Sequence, residues 1–158
     1  MTSRLFLSFW DVCLDNLPEG RFERRRVSPV AARPMIRAAR GDNTLMCVSN
    51  DDLLAPYRQK QRRRHEALCA LLHKTHDIAL RLEDFLSTFD EKAGAMQSVT
   101  PLQLARLQPG DRLLVVTCNY GFTERNHSAD LEDRFIVAED SVRFDLVEAL
   151  STQEAATP

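Results

Sequence analysis

The chain has 158 residues, 44% hydrophobic and 28% charged, which is the size and composition of one globular domain with a real core and excludes a wholly disordered chain. Its 21 Lys and Arg against 23 Asp and Glu leave a net charge of −2, so no global field draws it onto nucleic acid or acidic membranes. No apolar stretch is long enough to span a bilayer, and Arg4-Leu5-Phe6-Leu7-Ser8-Phe9-Trp10 is too short for a secretory leader and runs straight into Asp11.

In chain order, Leu5 to Leu14 (LFLSFWDVCL) is aromatic and partly alternating and predicts a first strand. Asn16-Leu17-Pro18-Glu19-Gly20 predicts a turn, with Arg21–Val27 as a second extended piece. Ser28-Pro29 opens a helix, Ser as N-cap and Pro at the first helical position, expected to run to about Arg40 and stop at Gly41. Pro34 removes one hydrogen bond from such a helix, so a start at Pro34 is the alternative. Thr44–Ser49 (TLMCVS) is a short apolar run between polar residues and reads as a buried strand. Asn50-Asp51-Asp52 then caps a short helical turn ending near Pro56.

The longest helix is expected from about Gln59 to Phe89. Leu68, Leu71, Leu72, Ala79, Leu82 and Leu86 recur there at three- and four-residue steps, widened by Ile78 and Phe85. Thr100–Leu107 reads as a short capped helix, Pro109-Gly110-Asp111 as a turn, and Arg112–Tyr120 as a β-branched strand central in a sheet. Arg134–Ala138 and Val142–Val147 read as the two strands of a hairpin around Glu139-Asp140-Ser141. The tail Ser151–Pro158 is expected to fray. The expected fold is α/β, with α+β as the alternative. Residues 1–150 would form one domain, a single mixed sheet of five to six strands flanked by helices, one of them long and amphipathic.

Basic residues crowd into Arg21–Arg40 and Arg58–Arg64, and acidic ones dominate after Glu124. That asymmetry permits a local anion site on a chain of near-zero net charge. Cys13, Cys47, Cys69 and Cys118 form no CxxC pair. Cys13, Cys47 and Cys118 fall in strand-like runs, where a thiol acts as a small apolar residue, and free thiols point to a reducing cytoplasm.

At about 100° per residue, His65, Cys69, His73 and His76 share roughly 80° of arc on one flank of the long helix, beside its apolar face. Arg58 and Arg62 extend this line towards its N-terminus. Three readings of the flank are open. It is the edge of a core helix, where amphipathic side chains ordinarily sit. It is an anion or nucleotide site, in which Arg neutralises a phosphate and His moves a proton near neutral pH. Or its His and Cys share zinc, for which only His127 lies elsewhere to complete a ligand set.

The run Arg58–His65 likewise reads as a solvated helix start or as a phosphate contact, with Tyr57 as its neighbouring aromatic. At Ser49-Asn50 a strand end meets a helical turn, a place where backbone N–H groups suit an anion, without any glycine fingerprint. GxSxG, HExxH, GxxxxGK[ST] and the kinase signature are absent, which excludes well-marked hydrolases, zinc proteases and nucleoside triphosphatases. No cofactor and no resident metal are expected.

The order of certain pieces resembles a family of small viral and prokaryotic proteins that includes type III anti-CRISPR ring nucleases. The matching pieces are Leu5–Phe9, Leu17-Pro18-Glu19-Gly20-Arg21-Phe22, Val27-Ser28, Cys47-Val48-Ser49, His65-Glu66-Ala67, and Pro109-Gly110-Asp111 with Leu113–Val116. The family has Gly-His directly after the buried Ser, whereas this chain has Asn50-Asp51-Asp52 and an Arg-rich stretch before His65. The resemblance implies a cytoplasmic, phage-encoded or cellular homodimer that binds a cyclic oligoadenylate at its two-fold axis. It also implies metal-independent cleavage, with a ribose 2′-OH as nucleophile and a histidine, carried over to His65, as general acid.

The expected function is therefore to bind, and to cleave without metal, a cyclic oligonucleotide or short RNA in an anti-defence or CRISPR-accessory role. His65, His73 and His76 are the acid/base candidates, Arg58 and Arg62 the phosphate contacts, and Ser49 and Asn50 the backbone donors. The rival is a non-catalytic protein that docks on a defence complex through the acidic segment Glu124–Asp140 or the basic helix. A general nucleic-acid-binding module is the third reading and predicts affinity that falls steeply with salt.

Overall fold

Two nearly unbroken apolar runs, LFLSF and RLLVVT, become adjacent strands because a strand buried on both faces has no polar side to present. The computed structural model describes residues 3–10, 20–49, 53, 56–91, 107–123 and 134–150. Its strands are β1 (Leu5–Phe9), β2 (Phe22–Val27), β3 (Leu45–Val48), β4 (Arg112–Thr117), β5 (Tyr120–Thr123), β6 (Arg134–Val137) and β7 (Arg143–Ala149). Its helices are α1 (Pro29–Gly41), α2 (Gln59–His76) and α3 (Leu82–Glu91). The fold is mixed α/β, and β4 is the middle strand of the main sheet, ordered β2-β7-β4-β1-β3. β1 runs parallel to β3 and β4, and β7 runs antiparallel to β4 and β2.

Four expectations change. The run Arg112–Tyr120 is not one strand, since β4 ends at Thr117 and Tyr120 opens β5. The strands divide into a five-stranded sheet and a separate two-stranded ribbon, β5 with β6. The expected hairpin between Arg134–Ala138 and Val142–Val147 does not form. A 3-10 turn at Glu139–Ser141 instead carries the chain from the ribbon into the main sheet. Finally, the long helix breaks at Asp77, which takes a left-handed φ of +54°. Beyond it Ile78 and Leu80 are buried while Ala79 is exposed, a period of two that an extended segment satisfies and a helix does not. Helix resumes at Leu82, with Glu83 and Asp84 favourably placed in its first turn. The short helix expected over Thr100–Leu107 falls almost wholly outside the described residues.

α1 begins where its capping chemistry says: Ser28 Oγ accepts from the Ala31 N–H at 3.2 Å, with Pro29 at the first helical position. The alternative start at Pro34 is set aside, since Pro34 lies inside the helix on an exposed face where water can satisfy the freed carbonyl. Ala32, Ile36 and Ala39 form its buried stripe. The three helices pack on one face of the sheet, against Leu5, Leu7 and Phe9 of β1 and Leu114 and Val116 of β4. Phe6, Val48, Leu113, Val115 and Val147 form the core of the other face.

Much of the basic charge crowded into residues 21–40 is used within the fold. Arg24 and Arg26 on β2 reach the buried Asp145 of β7, and Arg25 reaches Glu148. On α1, Arg33 and Arg37 meet Asp77, and Arg40 meets Asp84 at 3.0 Å. The pairs to Asp77 and Glu148 are largely exposed and individually worth about 0–1 kcal/mol, whereas the carboxylate of Asp145 is buried against its two arginines. The pairs from α1 tie that helix to the turn after α2 and to the start of α3.

Candidate functional site

The parallel strands β1, β3 and β4 end along one edge of the sheet. After β1 the chain crosses to β2 at the far edge of the sheet before α1 leads back to β3, and after β4 it passes through the ribbon into β7. Ligands of open α/β sheets bind outside the carboxyl ends of the parallel strands. Trp10 stands there, directly after β1. Its N–H still donates to the Val116 carbonyl at 2.6 Å, but its φ of +68° turns the chain out of the strand. A bulky residue in this region carries about 1–3 kcal/mol of strain, which surrounding contacts must offset.

Those contacts are aromatic and cationic. The indole packs on the His65 imidazole, centroids 5.3 Å apart, and meets Phe9 and Tyr120 edge-on at 5.6 and 5.8 Å. The Arg64 guanidinium lies 4.2 Å from the Trp10 ring centroid and 4.4 Å from that of Tyr120. Its Nη1 donates to Gln61 Oε1 at 3.0 Å. Held between two rings and a neighbouring amide, this guanidinium has lost most of its rotamer freedom and is oriented before any ligand arrives. Tyr120 is positioned in turn by the loop before it. The Asn119 N–H donates to Ser141 Oγ at 2.8 Å, and the Asn119 carbonyl accepts from the Ala138 N–H at 2.9 Å. The thiol of Cys118 sits beside this cluster. Burial pushes its pKa up, and the Trp10 indole and Arg64 only partly pull it back.

His65 lies beneath Trp10 and is 2% exposed. Phe9 and Phe85 close around it, with centroids at 5.3 and 5.0 Å. Its Nδ1 is 3.0 Å from the Gln61 carbonyl; a carbonyl only accepts, so Nδ1 carries the proton. The ring is thus oriented but covered. His73 and His76 do not join it, because eight and eleven helical residues place them about 12 and 16 Å further along α2. His73 is exposed and lines a groove of about 380 Å³ with Arg40, Arg81 and Cys69, where Asp84 holds both guanidiniums. His76 is half-buried against Phe144, at 6.4 Å between centroids. The flank read from the sequence is therefore one line on a helix whose ends meet different surroundings.

Ser49 is buried at the end of β3, and Asn50 lies outside the described residues. Arg58 closes the 3-10 turn Pro56–Arg58, its guanidinium 5.0 Å from the Tyr57 centroid. Arg62 is half-buried in the first turn of α2, about 160° round the helix from Arg64. Cys69 is no candidate thiolate, since burial pushes its pKa up to about 12, helped by Asp84 and Glu66. Among the described residues no three His, Cys, Asp or Glu side chains group as metal ligands, and no helix is long and apolar enough to cross a membrane. Of the acidic segment Glu124–Asp140, Glu139 and Asp140 are exposed at the turn into β7, and Glu124–Asp133 lie outside the described residues.

Residue patterns alone missed Trp10 and Tyr120, and gave Arg64 only as one member of the basic run Arg58–His65. The one signal available was a Trp and a Tyr closing two strand-like runs, but nothing local places Arg64 between them. No family model matches this chain, and no curated protein matches its sequence.

Proposed function

We propose that this protein binds a short or cyclic oligoribonucleotide across the carboxyl edge of β1 and β4. The observation that carries the reading is the Arg64 guanidinium clamped between Trp10 and Tyr120 beside the cationic start of α2. An oriented guanidinium suits a phosphate better than a mobile one, because less entropy is lost on contact. Arg58 supplies further charge at the same end of α2, Arg62 does so from the helix's other flank, and the end of β3 at Ser49 borders the region. A homodimer with two such edges facing one cyclic ligand belongs to the same proposal, with light scattering as its check.

Cleavage is the second step of the proposal. A ribose 2′-OH would attack the adjacent phosphorus and give up its proton to water, the bond from phosphorus to the 5′-oxygen would break, and that oxygen would take a proton from a general acid. His65 is oriented for such a role but covered, so it meets substrate only when Trp10 leaves its face. Binding is therefore the primary function, and turnover depends on that displacement.

Labelled cyclic oligoadenylates and linear oligoribonucleotides, followed in EDTA for binding and cleavage together, test both steps. Two to three phosphate contacts predict a fall in affinity of about 7- to 18-fold between 50 and 200 mM salt. Arg64→Ala should weaken binding about tenfold or more, the loss expected for one charge-assisted contact. Turnover abolished by His65→Ala but kept by His73→Ala and His76→Ala assigns the acid. No binding across the panel refutes the proposal and favours the protein-docking alternative.

A further inference from the structure

The clamp that orients Arg64 leaves one ring of the stack facing outwards. Tyr120 is 42% exposed although Trp10 and Arg64 occupy its inner side. An exposed aromatic beside a guanidinium offers a flat, electron-rich surface next to a positive charge. A second ring of the same kind stands at the start of α2, where Tyr57 is 77% exposed with Arg58 at 5.0 Å from its centroid. Exposed rings next to cations are how proteins hold unpaired bases. The ring stacks on the base, the cation takes the phosphate, and every base offers a face to stack.

We infer that Tyr120 is a base-stacking residue, so that the ligand is recognised through an unpaired nucleobase as well as through its phosphates. The inference rests on the oligonucleotide-binding reading above and narrows it to single-stranded ligands whose bases are free to splay out. Duplex RNA hides its base faces within its own stack and is excluded from this subsite. Arg64 and Trp10 back the ring from its inner side, so the platform is rigid before the base arrives. Ser141 and Ala138 fix its height through their hydrogen bonds to Asn119.

Trp10 is the only tryptophan in the chain and touches both Tyr120 and Arg64, so its fluorescence reports on the stack. The experiment titrates the full chain with a short oligoadenylate and with the same oligomer carrying abasic sites, which keeps the phosphates and removes the bases. Anisotropy gives affinity, and Trp10 emission gives occupancy of the stack. The abasic oligomer should bind about 5- to 150-fold more weakly, the range that losing one base–aromatic stack produces, and at saturation should change Trp10 emission less than the intact oligomer does. Tyr120→Phe should retain the affinity of the intact oligomer, and Tyr120→Leu should lose a similar factor while the circular dichroism spectrum stays native. Equal affinity for the two oligomers, within twofold, overturns the stacking inference and leaves the phosphate-binding reading standing. Binding of neither overturns both.

Discussion

Replacing Phe85 with Ala is the sharpest test of how the core supports the site. Phe85 lies on α3, is fully buried, and packs its ring 4.6 Å from that of Phe9 and 5.0 Å from His65, the latter edge-on at 83°. Truncating a buried Phe costs about 3–5 kcal/mol, part of it lost transfer energy and part the cavity left behind. In a domain of this size each kcal/mol moves the melting temperature by about 2–4 °C, so the expected fall is about 6–20 °C. Total stability is of order 5–15 kcal/mol, so the variant is expected to fold but with a much reduced margin. Phe85→Leu separates the causes: it keeps an apolar side chain and forgoes two ring contacts worth about 0.5–1.5 kcal/mol each. Urea denaturation followed by circular dichroism and by Trp10 emission measures both variants. Because Phe85 walls His65, carbethoxylation of the imidazole should also quicken in Phe85→Ala at denaturant concentrations where the fold persists. A loss below about 1 kcal/mol, or no change in His65 reactivity, refutes the packing argument.

Other expectations follow from single contacts. Asp77 holds a left-handed φ and meets two largely exposed arginines, so Asp77→Gly should change stability by less than about 1 kcal/mol, whereas the β-branched Asp77→Val should cost about 1–3 kcal/mol in urea melts. Ser28→Ala removes the N-cap acceptor of α1 and should cost about 1 kcal/mol. Burial pushes the Cys69 pKa up to about 12 and raises that of Cys47 as well. An unfolded thiol ionises near 8.5–9, so from there up to about pH 12 the unfolded chain holds fewer protons and the free energy of unfolding falls as pH rises. Urea midpoints measured from pH 8 to 10.5 should therefore decline, and less steeply in Cys69→Ala. Alkylation of the native protein by iodoacetamide should leave both buried thiols largely unmodified at pH 8.

Local chemistry was the legible part of this fold. Ser28-Pro29 announced α1 to the residue, and the apolar runs at β1, β3 and β4 were readable because buried parallel strands need no alternation. The hairpin and the long helix were misread for different reasons. Whether β6 pairs with β7 or with β5 depends on partners elsewhere in the chain, and a short gap at Glu139-Asp140-Ser141 looks the same in either case. The break at Asp77 was hidden because Ala79 and Leu82 continue the helical spacing of Leu68 and Leu72, although Ala79 faces water. The site divides along the same line. A histidine flank on α2 is a local pattern and was visible, but its burial beneath Trp10 is set by where β1 ends. The clamp on Arg64 joins three distant segments, and no window on the sequence contains them together.

The position of β7 also bears on how the chain reaches this state. β7 lies between β2 and β4, yet it pairs with β2 across 117 residues (Val27 to Phe144) to 127 residues (Phe22 to Ala149). Until it is made, β2 has no neighbour in the sheet and β4 has only β1. During synthesis β2 must therefore wait as an unpaired strand, and its consecutive arginines at positions 24, 25 and 26 are the kind of charge that keeps such a strand from pairing with another copy. Closure of so distant a pairing late in assembly is a slow step. The arginines that later meet Asp145 and Glu148 thus first serve to keep a nascent edge soluble.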